Sequence, residues 1–231
     1  MKKIPLILLP GTLCDDTMWE FQLNKLKKIA DCKVISLQRD SIEEMAKDVL
    51  EQAPDRFALA GFSMGGNVAI EVVKQAPKRV LKLALMDINP NPPRLEQIEG
   101  WKKFIGMARE GNFSSITPHY LLPNMVSPNA EDQISSTIIK MAEHIGKDTM
   151  IKQMTALINR PDGRKTLREV ECPTLLLTGE EDALCTTDMH KEMNKHLSHS
   201  ELVIIKSSGH MTTLEQPEAV YSALHNWLLN K

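Results

Sequence analysis

The chain has 231 residues, 42% hydrophobic and 25% charged, which suits one domain or one domain carrying an insertion. That composition excludes disordered and collagen-like classes. Twenty-eight Lys+Arg against thirty Asp+Glu give a net charge of -2, so no basic excess points to nucleic acid or an anionic membrane. No apolar run reaches the roughly 18 residues that a membrane-spanning helix needs. The apolar start, Ile4 to Leu9, stops at Pro10-Gly11 without a small-residue cleavage pattern and reads as a buried strand rather than a signal peptide. Cys14, Cys32, Cys172 and Cys185 are scattered, with no Cys-x-x-Cys pair. They read as reduced thiols of a cytoplasmic protein, and no zinc site is expected.

Short apolar runs alternate with amphipathic segments. In chain order the predicted strands are Ile4–Leu9, Cys32–Leu37, Phe57–Phe62, Val80–Met86, Thr174–Thr178 and Leu202–Lys206. Most are rich in Val, Ile and Leu throughout, as strands covered on both faces are. The predicted helices are Met18–Ala30, Ile42–Ala53, Met64–Ala76, Asp188–His196 and Pro217–Leu229. Asp15 or Asp16 would cap the first, Ser41 and Glu44 would form a capping box on the second, and Pro77 would end the third. Strands alternating with helices imply βαβ units and a mainly parallel α/β sheet of about six strands.

The alternation breaks at Asn89-Pro90-Asn91-Pro92-Pro93, and strand signals resume only at Cys172-Pro173. The core is therefore assigned to 1–90 and 169–231, with a helical lid insertion over 91–168. The insertion holds 11 Lys+Arg and 8 Asp+Glu, a faint lean toward anionic substrates. Its five methionines, Met107, Met125, Met141, Met150 and Met154, could line an adaptable pocket, but at helical spacing they fit the lid's own core better.

Gly61-Phe62-Ser63-Met64-Gly65-Gly66 follows a strand and opens a helix. That is G-x-S-x-G in the context its mechanics require, a tight turn that projects a hydroxyl above the helix N-terminus. A serine nucleophile needs a base, and the base needs an orienting carboxylate. Of seven histidines, His210 directly follows the last predicted strand. His119 and His144 fall in the insertion, and His190, His196, His199 and His225 read as solvated. Asp182, after the fifth strand, is the chosen acid, and Asp87, at the end of the fourth, is its rival. Oxyanion donors are expected from the Met64 amide and from Thr12 in Pro10-Gly11-Thr12-Leu13-Cys14. Cys14 reads as a small buried residue near the pocket.

With these four motifs in order, the chain resembles the α/β-hydrolase superfamily. It is similar to the small members grouped with pimeloyl-carrier-protein methyl ester esterases and 3-oxoadipate enol-lactonases. The resemblance spans nearly the whole chain through Leu8–Asp15, Ala60–Gly66, Gly179–Leu184 and Ser208–Pro217. It implies Ser63 as nucleophile, His210 as base, Asp182 as orienting acid, and Thr12 and Met64 as oxyanion donors. A small-molecule acyl substrate is implied, with no metal or organic cofactor. Two features depart from the pattern. Pro10-Gly11 stands where many relatives have His-Gly, and the leading antiparallel hairpin is not expected. An acyltransferase or C–C hydrolase on the same fold would keep the triad, as would a haloperoxidase that needs no cofactor. A ligand-binding protein without catalysis is the reading outside enzymology.

Overall fold

The computed structural model describes residues 3–230. Six strands form one parallel sheet: β1 (Ile4–Leu9), β2 (Ala30–Val34), β3 (Phe57–Phe62), β4 (Val80–Met86), β5 (Thr174–Gly179) and β6 (Ser200–Ile205). Their spatial order is β2-β1-β3-β4-β5-β6, and every pairing is parallel. The sheet has the α/β-hydrolase architecture that the sequence implies.

A period of two sorts the strand residues between two cores. Ile7, Leu9, Leu59, Leu83, Leu85 and Leu176 face one side. There they pack on α2 (Ile42–Gln52), α3 (Met64–Gln75) and α9 (Thr187–His196). Leu6, Leu8, Ala58, Ala60, Ala84 and Leu175 face the other, against α1 (Glu20–Leu26) and α11 (Pro217–Leu229). The central strands β3 and β5 are buried along their whole length. The outer strands β2 and β6 carry exposed residues among buried and half-buried ones, because nothing pairs beyond them.

Two boundaries move for identifiable reasons. The predicted helix over Met18–Ala30 divides into a 3₁₀ turn, Asp16–Trp19, and α1, which ends at Leu26 because Ala30 is already paired with Ile4 as the start of β2. Asp15 is the cap of that turn, accepting from the Thr17 amide at 2.9 Å. The predicted second strand ends early, at Val34, and Ile35 and Leu37 enter the α2–α3 side of the core from a connector. The Ser41 cap is half of a box. Its hydroxyl accepts from Glu44 N at 3.4 Å, while the Glu44 carboxylate pairs with Lys47.

Between β4 and β5 the chain is helical: α4 (Leu95–Arg109), α5 (Phe113–Ile116), α6 (Asp132–Ile145), α7 (Lys147–Ile158) and α8 (Arg164–Arg168). A π-turn at Thr117–Leu121 and a 3₁₀ turn at Leu122–Asn124 join α5 to α6. Ile105, Ala108, Ile116, Ala142, Met150 and Met154 form a third core, which also takes in Leu13 from the loop after β1. Met107 packs against that core, whereas Met141 and Met125 join the α1–α11 side of the sheet.

His144, in the last turn of α6, clamps the insertion to the β1 loop, with Nδ1 2.6 Å from Asp15 Oδ2. The bond to Asp15 raises the imidazole's pKa. Burial opposes ionisation of Asp15, but bonds from His144 and Thr17 outweigh it and lower that carboxyl. A raised histidine contributes fully below its unfolded pKa and stops contributing as pH rises through its folded value. A lowered carboxylate contributes above its unfolded pKa and stops as pH falls through its folded value. The clamp is therefore strongest in mildly acidic solution. His144→Ala should lower Tm more at about pH 5.5 than at about pH 9. An equal shift at both values, measured by calorimetry, would show that the pair contributes nothing.

Candidate active site

Three strand ends converge on one point. Ser63 occupies the turn between β3 and α3 with φ 52° and ψ -116°, a conformation that costs a residue with a side chain about 1–3 kcal/mol. Its amide donates to Met86 O at 2.8 Å, which holds the turn against the end of β4. Two glycines make the turn sterically feasible. A Cβ on Gly61 would lie 2.3 Å from Gly65 O, and one on Gly65 would lie 2.5 Å from Leu9 O and 2.6 Å from Pro10 O. Helix α3 thus begins in contact with the backbone of the β1 loop.

His210 is carried by the loop after β6 and is buried. Its Nε2 lies 3.0 Å from Ser63 Oγ and its Nδ1 lies 2.8 Å from Asp182 Oδ2. The Phe62 ring stands 5.2 Å from the imidazole. Asp182 is also buried, and its Oδ1 accepts from the amides of Leu184 at 2.8 Å and Cys185 at 2.9 Å. Burial works against its ionisation. The His210 charge and bond, with the two amides, outweigh that and hold the carboxyl below its ordinary range.

Asp87, the rival acid, does not reach His210. It is fully buried at φ 51°, where its Oδ1 accepts from Gly179 N at 3.0 Å and its Oδ2 from Thr212 Oγ1 at 2.6 Å. Burial, then the nearby Asp182 charge, pushes its pKa well up. Asp87 thereby ties β4 to the acid loop and to the histidine loop. Glu215, in α10 (Thr212–Glu215), supports the histidine loop by accepting from the amides of Gly209 at 3.1 Å, Met211 at 3.1 Å and Ser127 at 2.8 Å.

Thr12 and Met64 both line the cavity beside Ser63. Met64 is the first residue of α3, so its amide has no intrahelical acceptor. The Thr12 amide donates to no acceptor among the described residues. Cys14 is buried and lines the cavity as well, and burial pushes its thiol up to about 12, which leaves it protonated. The cavity measures about 300 Å³, at the small end of ligand sites. Trp101, Phe104 and Met154 of the insertion line it together with Ser63 and His210.

Two further residues escape the sequence reading. Gln153 of α7 is buried, with Oε1 accepting from Leu13 N at 2.9 Å and Nε2 donating to Leu37 O at 2.8 Å. It fixes Leu13, at φ 58°, one residue past Thr12. No local signal marks it, because its partners are 116 and 140 residues away. His190 reads as solvated in sequence but is fully buried. Its Nδ1 is 3.1 Å from Thr186 O and its Nε2 accepts from Ile88 N at 3.2 Å, so the imidazole bridges α9 to the residue after Asp87. Burial lowers its pKa to about 4, and it stays neutral.

Residues 29–229 match the Ndr family. The pimeloyl-[acyl-carrier protein] methyl ester esterase of Aliivibrio salmonicida is 22% identical over 96% of this chain and 91% of that protein. Among solved structures, a thermophilic esterase from Thermogutta terrifontis, with malate bound, superposes with a TM-score of 0.89 at 25% identity. That match covers 98% of this chain and 90% of the other. The enol-lactonase from Burkholderia xenovorans LB400 superposes with a TM-score of 0.90 at 18% identity, covering 100% and 93%.

Replacing Gln153 by Leu would leave the Leu13 amide and the Leu37 carbonyl buried without partners. Each such group costs about 1–3 kcal/mol, so Gln153→Leu should lower unfolding stability by at least that much. Urea denaturation measures it, and a neutral result would mean that the β1 loop finds other partners.

Proposed function

The chain belongs to the Ndr family and is an ester-cleaving hydrolase of the α/β-hydrolase fold, and from that premise we propose that it hydrolyses small carboxylic esters through an acyl-Ser63 intermediate. The observation that carries this reading is the hydrogen-bonded line from Asp182 through His210 to Ser63, at 2.8 and 3.0 Å, ending at a cavity. Esterase and enol-lactonase names among the relatives support the choice of an ester or lactone carbonyl, and a thioester belongs to the same chemistry.

In this mechanism His210 Nε2 removes the proton from Ser63 Oγ as the oxygen attacks the carbonyl carbon. The amides of Thr12 and Met64 receive the oxyanion, each donor worth on the order of 10²–10³ in rate. Asp182 remains ionised, orients the imidazole and stabilises its protonated form. The tetrahedral intermediate collapses, and His210 returns the proton to the departing alcohol. Water, deprotonated by His210, then attacks the acyl-Ser63 ester and releases the acid. Every step uses protein groups and water. Residues 91–168 act as the lid that closes the acyl pocket. Four free cysteines fit a reducing, cytoplasmic setting.

Hydrolysis of p-nitrophenyl butyrate checks the assignment of the acid. Asp182→Asn should lower kcat/KM by on the order of 10⁴, because the imidazole loses its orienting anion. Asp87→Asn keeps a polar group beside Gly179 and Thr212, and the loss should stay within about tenfold. A larger loss in Asp87→Asn than in Asp182→Asn would move the acid to the end of β4.

A further inference from the structure

Arg160 lies two residues beyond the end of α7 and is 6% exposed. It lines the same cavity as Ser63. Its Nε donates to Asn91 O at 2.9 Å, and its guanidinium carbon stands 5.4 Å from the centre of the Trp101 ring. These two contacts fix the plane of the guanidinium. Its Nη2 is buried and has no hydrogen-bond partner, and no carboxylate pairs with the group among the described residues. Three other buried polar side-chain atoms lack partners, on Trp19, Gln22 and Thr213, and none of these residues lines the cavity. Of these four residues Arg160 is the one that lines the cavity, and it carries a full positive charge.

A buried guanidinium stays protonated, because its ordinary pKa lies far above neutrality. An arginine that merely cemented Asn91 to Trp101 would gain nothing from an unused donor. Leaving a charge buried and unpaired is among the costlier arrangements a fold can hold, so a missing counter-ion is the economical explanation. The Cys185 thiol lines the same cavity but supplies no counter-charge, because burial pushes its pKa well up and it remains neutral. Most of the remaining wall contributed by the insertion is apolar: Trp101, Phe104, Leu121, Met154 and Leu157. A planar donor fork on an apolar wall matches a carboxylate.

Building on the serine-hydrolase reading, we propose that Arg160 binds a free carboxylate of the substrate, so that the natural substrates are short esters or lactones bearing a second, ionised carboxyl group. Arg160 and Ser63 share one cavity of about 300 Å³, which keeps the carboxylate and the scissile carbonyl within one small molecule. The carboxylate belongs to the acyl side or to the alcohol side, and the two cases separate experimentally.

The test compares kcat/KM for matched pairs that differ only in charge. Monomethyl glutarate and monomethyl adipate are set against the methyl esters carrying a terminal carboxamide, for the acyl side. The acetyl ester of 3-hydroxypropionate is set against that of 3-hydroxypropionamide, for the alcohol side. One set should favour the carboxylate by about 10- to 100-fold, the range expected of a charge-assisted pair. Arg160→Gln should bring that ratio to about one, and Arg160→Lys should leave an intermediate ratio. Ratios near one for every pair in the wild type, or a preference that survives Arg160→Gln, would overturn the proposal. The wild-type ratios stand even if the variants fold poorly. Hydrolysis of neither charged nor neutral esters would count against the hydrolase reading instead. Calorimetry on Ser63→Ala then decides the role of Arg160. Binding of monomethyl glutarate or adipate that Arg160→Gln abolishes in the same background supports it, and no binding contradicts it.

Discussion

The site depends on a contact between backbones. At Gly65 the first turn of α3 meets the carbonyls of Leu9 and Pro10 so closely that one methyl group would force them apart. That contact sets the β1 loop beside the N-terminus of α3. Thr12 and Met64 therefore line the same cavity. It also stabilises the turn in which Ser63 is held at positive φ, since helix, strand end and loop together leave the residue no relaxed alternative.

Charge is distributed around this frame by environment. Two carboxyls lie close together beneath His210, and their surroundings push their ionisation apart. Asp182 receives three donors, one of them the imidazole, and is held as the anion. Asp87 is more deeply buried, faces the charge of its neighbour and is driven toward the neutral acid. One group serves the histidine electrostatically, and the other bonds the strand ends together. The neutral His190 extends the same scaffold by linking α9 to the backbone after Asp87.

What the sequence reveals follows from the range of the interactions involved. The central strands are legible to within a residue, because burial on both faces leaves uninterrupted apolar runs. The outer strands each begin two residues before their predicted start and end one to three residues early, since pairing on one side only weakens the apolar pattern. Ser63 announces itself through the glycines its turn requires. His210 and Asp182 are legible because each follows a strand in the order that the fold dictates. Gln153 and His190 act through backbone groups 102 to 140 residues away in sequence, and nothing local distinguishes them from surface residues. Arg160 stands in an Arg-Pro-Asp-Gly stretch that reads as a turn, and only the folded chain brings it to the cavity wall.

The proposed mechanism depends on activation of Ser63 by His210. Intact-protein mass spectrometry after exposure to a fluorophosphonate tests it directly, with wild type and Ser63→Ala side by side. One phosphonyl adduct is expected on the wild type and none on the variant. A wild type that is folded yet gains no adduct, or a variant that gains the same adduct, would contradict it.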